Sequence, residues 1–229
     1  MTQLHGVILD IDGTLVDSND ANAHAWIEAM AEQGHTVSFE RVRPLIGMGG
    51  DKVLPDVLGI SKDSDEGKKI SQRRKQIMIK RYQPTLHAFP QARELLERMH
   101  EQGLKLVVAT SAEQDELQGL LRIIGPDVPD LFQQETTAQD APRSKPNPQI
   151  MDAALEKSGL QATEVVMIGD TAYDIEAAAK ADVKTIALRS GGWSDSDLKE
   201  AIAIYNDAAD LLAHYDESPL VKGISTSAS

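Results

Sequence analysis

From Pro90 onward the sequence alternates helical and extended segments, and this alternation constrains the fold more than any other feature. Apolar runs at residues 104–111, 165–170 and 183–188 are typical of buried strands, and a weaker run lies around residues 131–134. Apolar residues at helical spacing mark the segments between these runs. Alternating strands and helices predict an α/β fold with a parallel sheet and right-handed crossovers.

A long segment without strand character interrupts this pattern after the first apolar run. Residues 19–34 carry apolar side chains at helical spacing, and the strongly charged residues 63–82 keep one apolar edge. Residues 18–83 are therefore predicted to be an all-helical domain inserted directly after the first strand. An insert at that place lies over the carboxyl end of the strand and is suited to act as a lid.

The predicted domains follow from these boundaries. Residues 1–17 and 84–215 are expected to form the α/β core, and residues 18–83 the helical cap. The last stretch, residues 216–229, is rich in Ser and Thr and poor in apolar residues, so a flexible tail is expected there.

Composition limits the partners and the compartment. A net charge of −13 argues against nucleic-acid binding, because phosphate backbones attract Lys and Arg. The chain has no cysteine, which rules out disulfides and thiolate metal sites. The first apolar run is too short for a signal peptide or a membrane span. We therefore expect a monomeric cytoplasmic protein that binds neither membranes nor nucleic acid.

The first strand ends in two carboxylates, Asp10 and Asp12, which Gly13 and Thr14 follow. Side chains two residues apart on a strand point to the same face, and ligands of open α/β sheets bind where strands end. Two neighbouring carboxylates repel each other and need a cation or a shared proton. The pair therefore predicts a metal-dependent reaction, although Asp and Gly after a strand can also form a simple turn.

Further polar residues lie at or after the ends of other predicted strands. They are the hydroxyl pair Thr110 and Ser111, then Lys145, and then Asp170 with Asp174 four residues on. Because the carboxyl ends of parallel strands lie along one edge of a sheet, these residues are expected to converge on Asp10 and Asp12.

This set of side chains suits phosphoryl transfer, which needs a divalent cation, an ammonium group and hydrogen-bond donors around the phosphoryl oxygens. Asp10 and Asp170 can hold Mg²⁺, which prefers oxygen ligands. Ser111 can donate to a phosphate oxygen and Lys145 can neutralise its charge. Asp10 can act as nucleophile and form an aspartyl-phosphate, and Asp12 can act as general acid and base.

Each of these residues also has a purely structural interpretation. Lys145 could be a surface residue of a Pro-rich loop, and Ser111 could cap the helix that follows it. Asp170 and Asp174 could be acidic residues that the dipole favours at a helix N-terminus. The joint occurrence of all of them with Asp10 and Asp12 favours the catalytic interpretation.

The order of these motifs resembles that of the haloacid dehalogenase superfamily. The motifs are Asp10-Ile11-Asp12-Gly13-Thr14, then Thr110-Ser111, then Lys145-Pro146, and then Gly169-Asp170 with Asp174. The resemblance implies a Rossmann-like parallel core and a helical cap of the family's first type, as in its phosphoglycolate phosphatase and β-phosphoglucomutase group.

The resemblance also implies a role for each matching residue. Asp10 would attack phosphorus. Asp12 would protonate the leaving oxygen and then activate water, and its backbone carbonyl would ligate Mg²⁺. Thr110, Ser111 and Lys145 would hold the phosphoryl group. Asp170 would complete the metal site, and Asp174 would contact the metal or its water.

Among the reactions of the superfamily, Asp12 argues against the dehalogenases, which need no second acid. The transport ATPases carry Thr at that place and need large membrane domains. A phosphatase is therefore expected, with a phosphomutase or a non-catalytic interaction protein as the alternatives. Asn22 stands where many members carry a cap His, which leaves a cap-borne partner for Asp12 open, and His24 is expected to be an ordinary helix residue.

Specificity is expected to come from the cap. Arg43, Met48 and Lys52 lie around the Gly47–Gly50 loop, and Arg43 and Lys52 are candidate substrate-binding residues. Lys52 could meet a second anionic group. A small helical cap suits a small metabolite, so the expected substrate is a sugar phosphate or a phosphoglycolate-like ester.

Overall fold

A computed structural model describes residues 2–224 and contains a six-stranded sheet in which all neighbouring strands are parallel. The strands are β1 (Gly6–Leu9), β2 (Lys105–Ala109), β3 (Gln134–Thr136), β4 (Val165–Gly169), β5 (Lys184–Leu188) and β6 (Ala203–Tyr205). Their order across the sheet is β3-β2-β1-β4-β5-β6. The predicted α/β class is therefore confirmed. The prediction did not include β6, and it placed β3 a few residues too early.

Helices cover both faces of the sheet. The helices of the core are α5 (Ala92–Glu101), α6 (Gln114–Ile124), α7 (Gln149–Ser158), α8 (Ala172–Lys180), α9 (Ala208–Ala213) and α10 (Pro219–Lys222). Successive side chains of β1 point to opposite faces. Val7 and Leu9 pack in one cluster with α5, α6 and α9, and Ile8 packs in another with α7 and α8. The central strand is thus buried on both sides, as its continuous apolar run indicates.

The segment between β1 and α5 is helical, with a hydrophobic core of its own. Its helices are α1 (Asn19–Ala31), α2 (Phe39–Val42), α3 (Gly50–Leu58) and α4 (Asp65–Ile77). Trp26, Met30, Leu54 and Ile70 are buried in one cluster that is separate from the clusters of the sheet. This separate core supports the division into cap and core, whose boundaries stay a prediction.

The two connections between the cap and the sheet run side by side. Asp17 N donates to His87 O at 3.0 Å, and Phe89 N donates to Leu15 O at 2.9 Å. Both crossings of the chain therefore lie at one place, next to the end of β1.

The expectation of a flexible tail from residue 216 is wrong as far as residue 224. Helix α10 buries Leu220, and Ile224 exchanges two backbone hydrogen bonds with Thr2, at 3.0 and 3.2 Å. The few apolar residues of this stretch are enough to dock it against the sheet. Residues 225–229 lie outside the described residues.

Within residues 2–224, we find no helix that has both the length and the apolar character needed to cross a lipid bilayer.

Candidate active site

The register of the three central strands brings the predicted acidic residues to one edge. Leu9 of β1 pairs with Val108 of β2 and with Ile168 of β4. Asp10 therefore comes directly after β1, and Asp170 comes directly after the neighbouring strand β4, two residues beyond Ile168. Carboxylate oxygens of Asp10, Asp170 and Asp174 lie within 4.8 Å of one another, and all three residues are buried.

Lys145 reaches into this group from the loop after β3. Its side chain is fully buried, and Nζ lies 3.1 Å from Asp10 Oδ1 and 2.7 Å from Asp174 Oδ1. Burial disfavours the charged ammonium, but the two carboxylates outweigh burial and raise the pKa of Lys145. The lysine is thus a charged bridge between two carboxylates, which excludes the interpretation as a surface residue.

Asp170 is held by two donors from the segment after β1. Thr14 Oγ1 donates to Oδ1 at 2.7 Å, and Asn19 Nδ2 donates to Oδ2 at 3.0 Å. Gly13 has a φ of +74°, and a Cβ there would lie 2.3 Å from Asp170 Oδ2. A Cβ on Gly191 would lie 1.9 Å from the same oxygen. Both glycines therefore make room for this carboxylate.

Asp174 is fixed by its place at the start of α8. Its Oδ2 accepts hydrogen bonds from Thr171 N at 3.0 Å and from Thr171 Oγ1 at 2.7 Å. This capping arrangement satisfies the free N–H groups of the first turn and leaves Oδ1 to face Lys145. The helix-terminus interpretation and a role in the site are thus both compatible with its position.

The charges of the group fit a divalent cation. When ionised, Asp10, Asp170 and Asp174 carry three negative charges, and the Lys145 ammonium carries one positive charge. Two negative charges of this group are therefore not balanced by Lys145. Burial raises the pKa of Asp10 well above its ordinary range in spite of Lys145, and burial with the Asp174 charge raises the pKa of Asp170 to about 7. Asn19 Oδ1, beside Asp170, is a buried acceptor to which no group of residues 2–224 donates a hydrogen bond. These oxygens form the donor set that Mg²⁺ prefers.

Asp12 faces away from this group, toward the cap. Its Oδ1 accepts hydrogen bonds from Ser18 Oγ at 2.5 Å and from Asn22 Nδ2 at 2.9 Å. Asn22, which stands at the position of the expected cap His, is therefore a cap-borne partner of Asp12. The assignment of the Asp12 backbone carbonyl to a metal ion stays a prediction.

Thr110 and Ser111 follow β2 and line the same cavity as Asp10 and Asp12. Thr110 is buried, and its Oγ1 accepts a hydrogen bond from Ala112 N at 3.1 Å. Ser111 Oγ donates to Gly47 O of the cap at 3.3 Å. Helix α6 has Glu113 as its N-cap, so Ser111 is not the helix cap that the alternative interpretation requires.

The cavity continues from Asp10 and Asp12 between the core and the cap. Both its inner and its outer part are lined by Trp26, Gly49, Gly50, Arg74, Thr110 and Ser111. The outer part adds Lys62, Ser71 and Lys75 from the cap and Glu116 and Ser144 from the core, among others. A substrate whose phosphoryl group meets Asp10 would place its leaving group in this outer part.

Arg74 is the cap residue that the sequence analysis missed. Its guanidinium lies 2.6 Å from Glu116 Oε1, donates to Asn22 Oδ1 and stands 5.5 Å from the centre of the Trp26 ring. The only sequence signal is its place on a charged helix, where its neighbours Arg73 and Lys75 are equally basic. Periodicity could not single it out.

The two cap cations chosen from the sequence do not line this cavity. Arg43 binds Asp20 and the carbonyl oxygen of Gly191, and it lines a separate cavity beside Trp193. Lys52 is half-buried on α3 and is not part of the cavity wall. Substrate binding by Arg43 or Lys52 stays a prediction. Met48 does line the inner part, and His24 is exposed beside Phe39.

Comparison with known proteins bears on this site. The sequence profile of the haloacid dehalogenase-like hydrolase family matches residues 7–188, from the second residue of β1 to the end of β5. A phosphoglycolate phosphatase of Aliivibrio fischeri is 31% identical over 192 residues, which are 81% of this chain and 84% of that protein.

Solved structures agree with this match. A hydrolase from Pseudomonas syringae superimposes with a TM-score of 0.85 at 32% identity, over 93% of this chain and 98% of that one. A β-phosphoglucomutase from Clostridium difficile, at 17% identity, has a TM-score of 0.77 over 94% of this chain and 96% of its own, and shows that the fold is shared. The chain belongs to the haloacid dehalogenase-like hydrolase family.

Proposed function

We propose that this protein is a Mg²⁺-dependent phosphatase that hydrolyses a small phosphomonoester through an aspartyl-phosphate on Asp10. The observation that carries the proposal is the buried Lys145 ammonium, 3.1 Å from Asp10 Oδ1, in a group of three carboxylates of which Asp10 lines a cavity. An attacking carboxylate, a fixed cation and hydroxyl donors are the requirements of phosphoryl transfer. Relatives named as phosphatases support the assignment.

In the first half of the reaction, a carboxylate oxygen of Asp10 attacks phosphorus and the bond to the ester oxygen breaks. Lys145 keeps Asp10 in place and holds positive charge beside the phosphoryl oxygens. Thr110 and Ser111, which line the cavity at the end of β2, offer hydroxyl donors to the same oxygens. The aspartyl-phosphate remains on Asp10, and the alcohol leaves through the outer cavity.

Asp12 acts as general acid in the first half of the reaction and as general base in the second. It lies beside the cavity, and it gives its proton to the leaving oxygen when the ester bond breaks. It then takes a proton from the water that attacks the phosphorus of the aspartyl-phosphate, which releases phosphate and restores Asp10. The hydrogen bonds from Ser18 and Asn22 hold its carboxylate toward the cavity.

Mg²⁺ would be held by Asp10 and Asp170, with the Asp12 carbonyl as a further ligand and Asp174 nearby, and it supplies positive charge to the phosphoryl oxygens when bound. Thr14, Asn19 and the two close glycines orient Asp170 for that purpose. Lys145 bridges Asp174 and Asp10 and would fix both carboxylates beside the cation.

The proposal is tested by measuring phosphate release from p-nitrophenyl phosphate and a panel of small phosphomonoesters, with and without Mg²⁺. Asp10→Asn is expected to lower kcat about a thousandfold or more, since it removes the nucleophile. Asp17→Asn, which changes an exposed carboxylate next to the motif, is the matched control and should retain activity. Equal activity of Asp10→Asn and the parent protein would contradict the proposal.

The same experiment separates the alternatives. A phosphomutase would hydrolyse esters slowly, and its main reaction would need a bisphosphorylated activator. A non-catalytic interaction protein would show no phosphate release that depends on Asp10. A panel in which only phosphoproteins react would exclude a small metabolite as the substrate.

A further inference from the structure

The carboxylate of Asp170 is in contact with two segments that come from different parts of the chain. Asn19, in the segment after β1, donates to Asp170 Oδ2 at 3.0 Å. Gly191, in the segment after β5, lies so close that a Cβ on it would be 1.9 Å from the same oxygen. The position of this oxygen therefore depends on how the two segments are placed relative to each other.

A hydrogen bond within the core joins the two segments. Ser190 Oγ donates to Gly13 O at 2.7 Å. Gly13 belongs to the same segment as Asn19, and Ser190 directly precedes Gly191. Because two segments can pivot about a single hydrogen bond, a second connection would restrict their relative placement.

Arg43 of the cap supplies such a connection. Its Nε donates to Asp20 Oδ1 at 2.6 Å, and its Nη2 donates to Gly191 O at 2.9 Å. Asp20 directly follows Asn19 in the sequence. The two donors lie on the same edge of the planar guanidinium, so one side chain binds both acceptors in a fixed geometry. Arg43 thus ties together the two segments that contact Asp170 Oδ2.

The neighbouring residue of the cap is also bound to the core. Tyr173 OH, on α8, donates to Pro44 O at 2.8 Å. The ring of Trp193 packs edge-on against Tyr173, with 5.3 Å between the ring centres. Arg43 and Trp193 line a cavity that is separate from the one beside the nucleophile. Arg43 therefore contacts the core at a place away from the substrate cavity.

We infer that Arg43 is a positioning residue for the metal site and that it holds Asp170 Oδ2 where a divalent cation can bind it. It does so by joining Asp20 to Gly191. The inference rests on the metal dependence in the proposed function. It makes the affinity for the cation depend on the cap, because a cap displaced from the core withdraws Arg43 from Gly191. By thermodynamic reciprocity, a bound cation favours the contact between Arg43 and Gly191 to the same extent.

The charge of Arg43 acts in the opposite direction to its positioning role. A guanidinium near a cation site repels the cation, so loss of the charge alone would strengthen Mg²⁺ binding. Loss of the positioning role would weaken it, and Arg43→Met therefore separates the two effects by their sign. The Arg43 side chain is 22% exposed and that of Asp20 is 70% exposed, so loss of this ion pair should cost little stability.

The experiment measures Mg²⁺ binding by isothermal titration calorimetry without any ester, so that substrate contacts cannot contribute. We expect Arg43→Met to raise the Mg²⁺ dissociation constant about fivefold or more. Arg43→Lys keeps the charge but not the edge with two donors, and it should also weaken binding. Arg41→Met, which removes an exposed cation on α2, is the control and should change the constant less than about twofold.

An unchanged or lower dissociation constant for Arg43→Met would overturn the inference. Full rescue by Arg43→Lys would overturn it as well, because the charge would then be sufficient. A raised KM for esters with unchanged Mg²⁺ binding would support the substrate contact predicted from the sequence instead. Circular dichroism verifies folding, and Arg43→Lys carries the test alone if Arg43→Met is not folded.

The parent protein keeps the two proposals distinguishable. If it binds Mg²⁺ and hydrolyses p-nitrophenyl phosphate, equal Mg²⁺ binding by the Arg43 variants contradicts only the positioning role. If the parent protein binds no Mg²⁺, the metal dependence of the proposed function is wrong and this inference is wrong with it.

Discussion

Asn22 Nδ2 lies 2.9 Å from Asp12 Oδ1 and donates a hydrogen bond to it from the first helix of the cap. The Oδ1 of the same amide accepts a hydrogen bond from Arg74, so both ends of the Asn22 side chain are engaged. Arg74 in turn is bound to Glu116 of the core. The orientation of the Asp12 carboxylate thus depends on contacts across the boundary between cap and core.

Asn22→Ala is expected to lower kcat about tenfold to a hundredfold for alkyl phosphates, because Asp12 loses the donor that orients it. p-Nitrophenyl phosphate should lose less, because its leaving group departs readily without a proton. The measurement is kcat for ethyl phosphate and for p-nitrophenyl phosphate in both proteins, with Asn206→Ala at an exposed site as control. Equal losses for the two esters would contradict a role for Asn22 in proton transfer.

Lys145→Met is expected to lower the free energy of unfolding of the metal-free protein by about 3–5 kcal/mol, because it leaves buried carboxylates without their cation. Urea titration followed by circular dichroism measures the change. Lys157→Met removes a partly exposed ion pair with Asp140 and should cost less than about 1 kcal/mol. Similar values for the two variants would show that the buried Lys145 bridge stabilises the fold no more than a partly exposed ion pair does.

Metal binding is expected to depend on pH through Asp170. Its pKa in the folded protein is about 7, above the usual value of 3.8. The protonated carboxyl therefore contributes fully to the free energy of unfolding below pH 3.8, and this contribution is lost as the pH rises through 7. At low pH a cation must displace this proton. We expect Mg²⁺ to raise Tm more at about pH 8 than at about pH 5.5. An equal rise at both pH values would contradict the prediction, and Asp170→Asn should abolish most of the rise.

Gly191→Ala is expected to weaken Mg²⁺ binding about tenfold or more by displacing Asp170, although Gly191 offers no ligand itself. A Cβ would lie 1.9 Å from Asp170 Oδ2, and Thr14 and Asn19 hold that carboxylate against moving aside. The measurement is the Mg²⁺ concentration at half-maximal activity, with circular dichroism to verify folding. An unchanged Mg²⁺ requirement would show that Asp170 can shift without loss.

The convergence of the core residues could be predicted because strands and their ends are marked locally in the sequence, whereas the order of the strands across the sheet was not predicted. Once the runs ending at Asp10 and Asp170 are identified as parallel strands, their side chains must meet at one edge. The burial of Lys145 was less certain, since nothing in its Pro-rich surroundings marks it as internal. The role of Lys145 in the site was predicted from its joint occurrence with the acidic residues at the strand ends, and not from any feature of Lys145 itself.

The cap was harder to predict because its specificity depends on how short helices pack. Helix α4 is charged along most of its length, so its pattern does not indicate that Ser71 and Arg74 face the cavity while Gln72 faces solvent. Arg43 and Lys52 were chosen for their closeness to a glycine-rich loop, and tertiary packing directs them elsewhere. The docking of the segment that follows α10 likewise depends on a distant contact, between Ile224 and Thr2.

The paired connections at Leu15–Phe89 and Asp17–His87 attach the cap at one place, next to the end of β1. A cap attached at one place can swing about it, and such a swing would separate Asn22 from Asp12 and Arg74 from Glu116 in one movement. The enzyme would then have its proton-transfer group aligned only while the alcohol is enclosed. Turnover would then alternate between an aligned, closed form and a misaligned, open one.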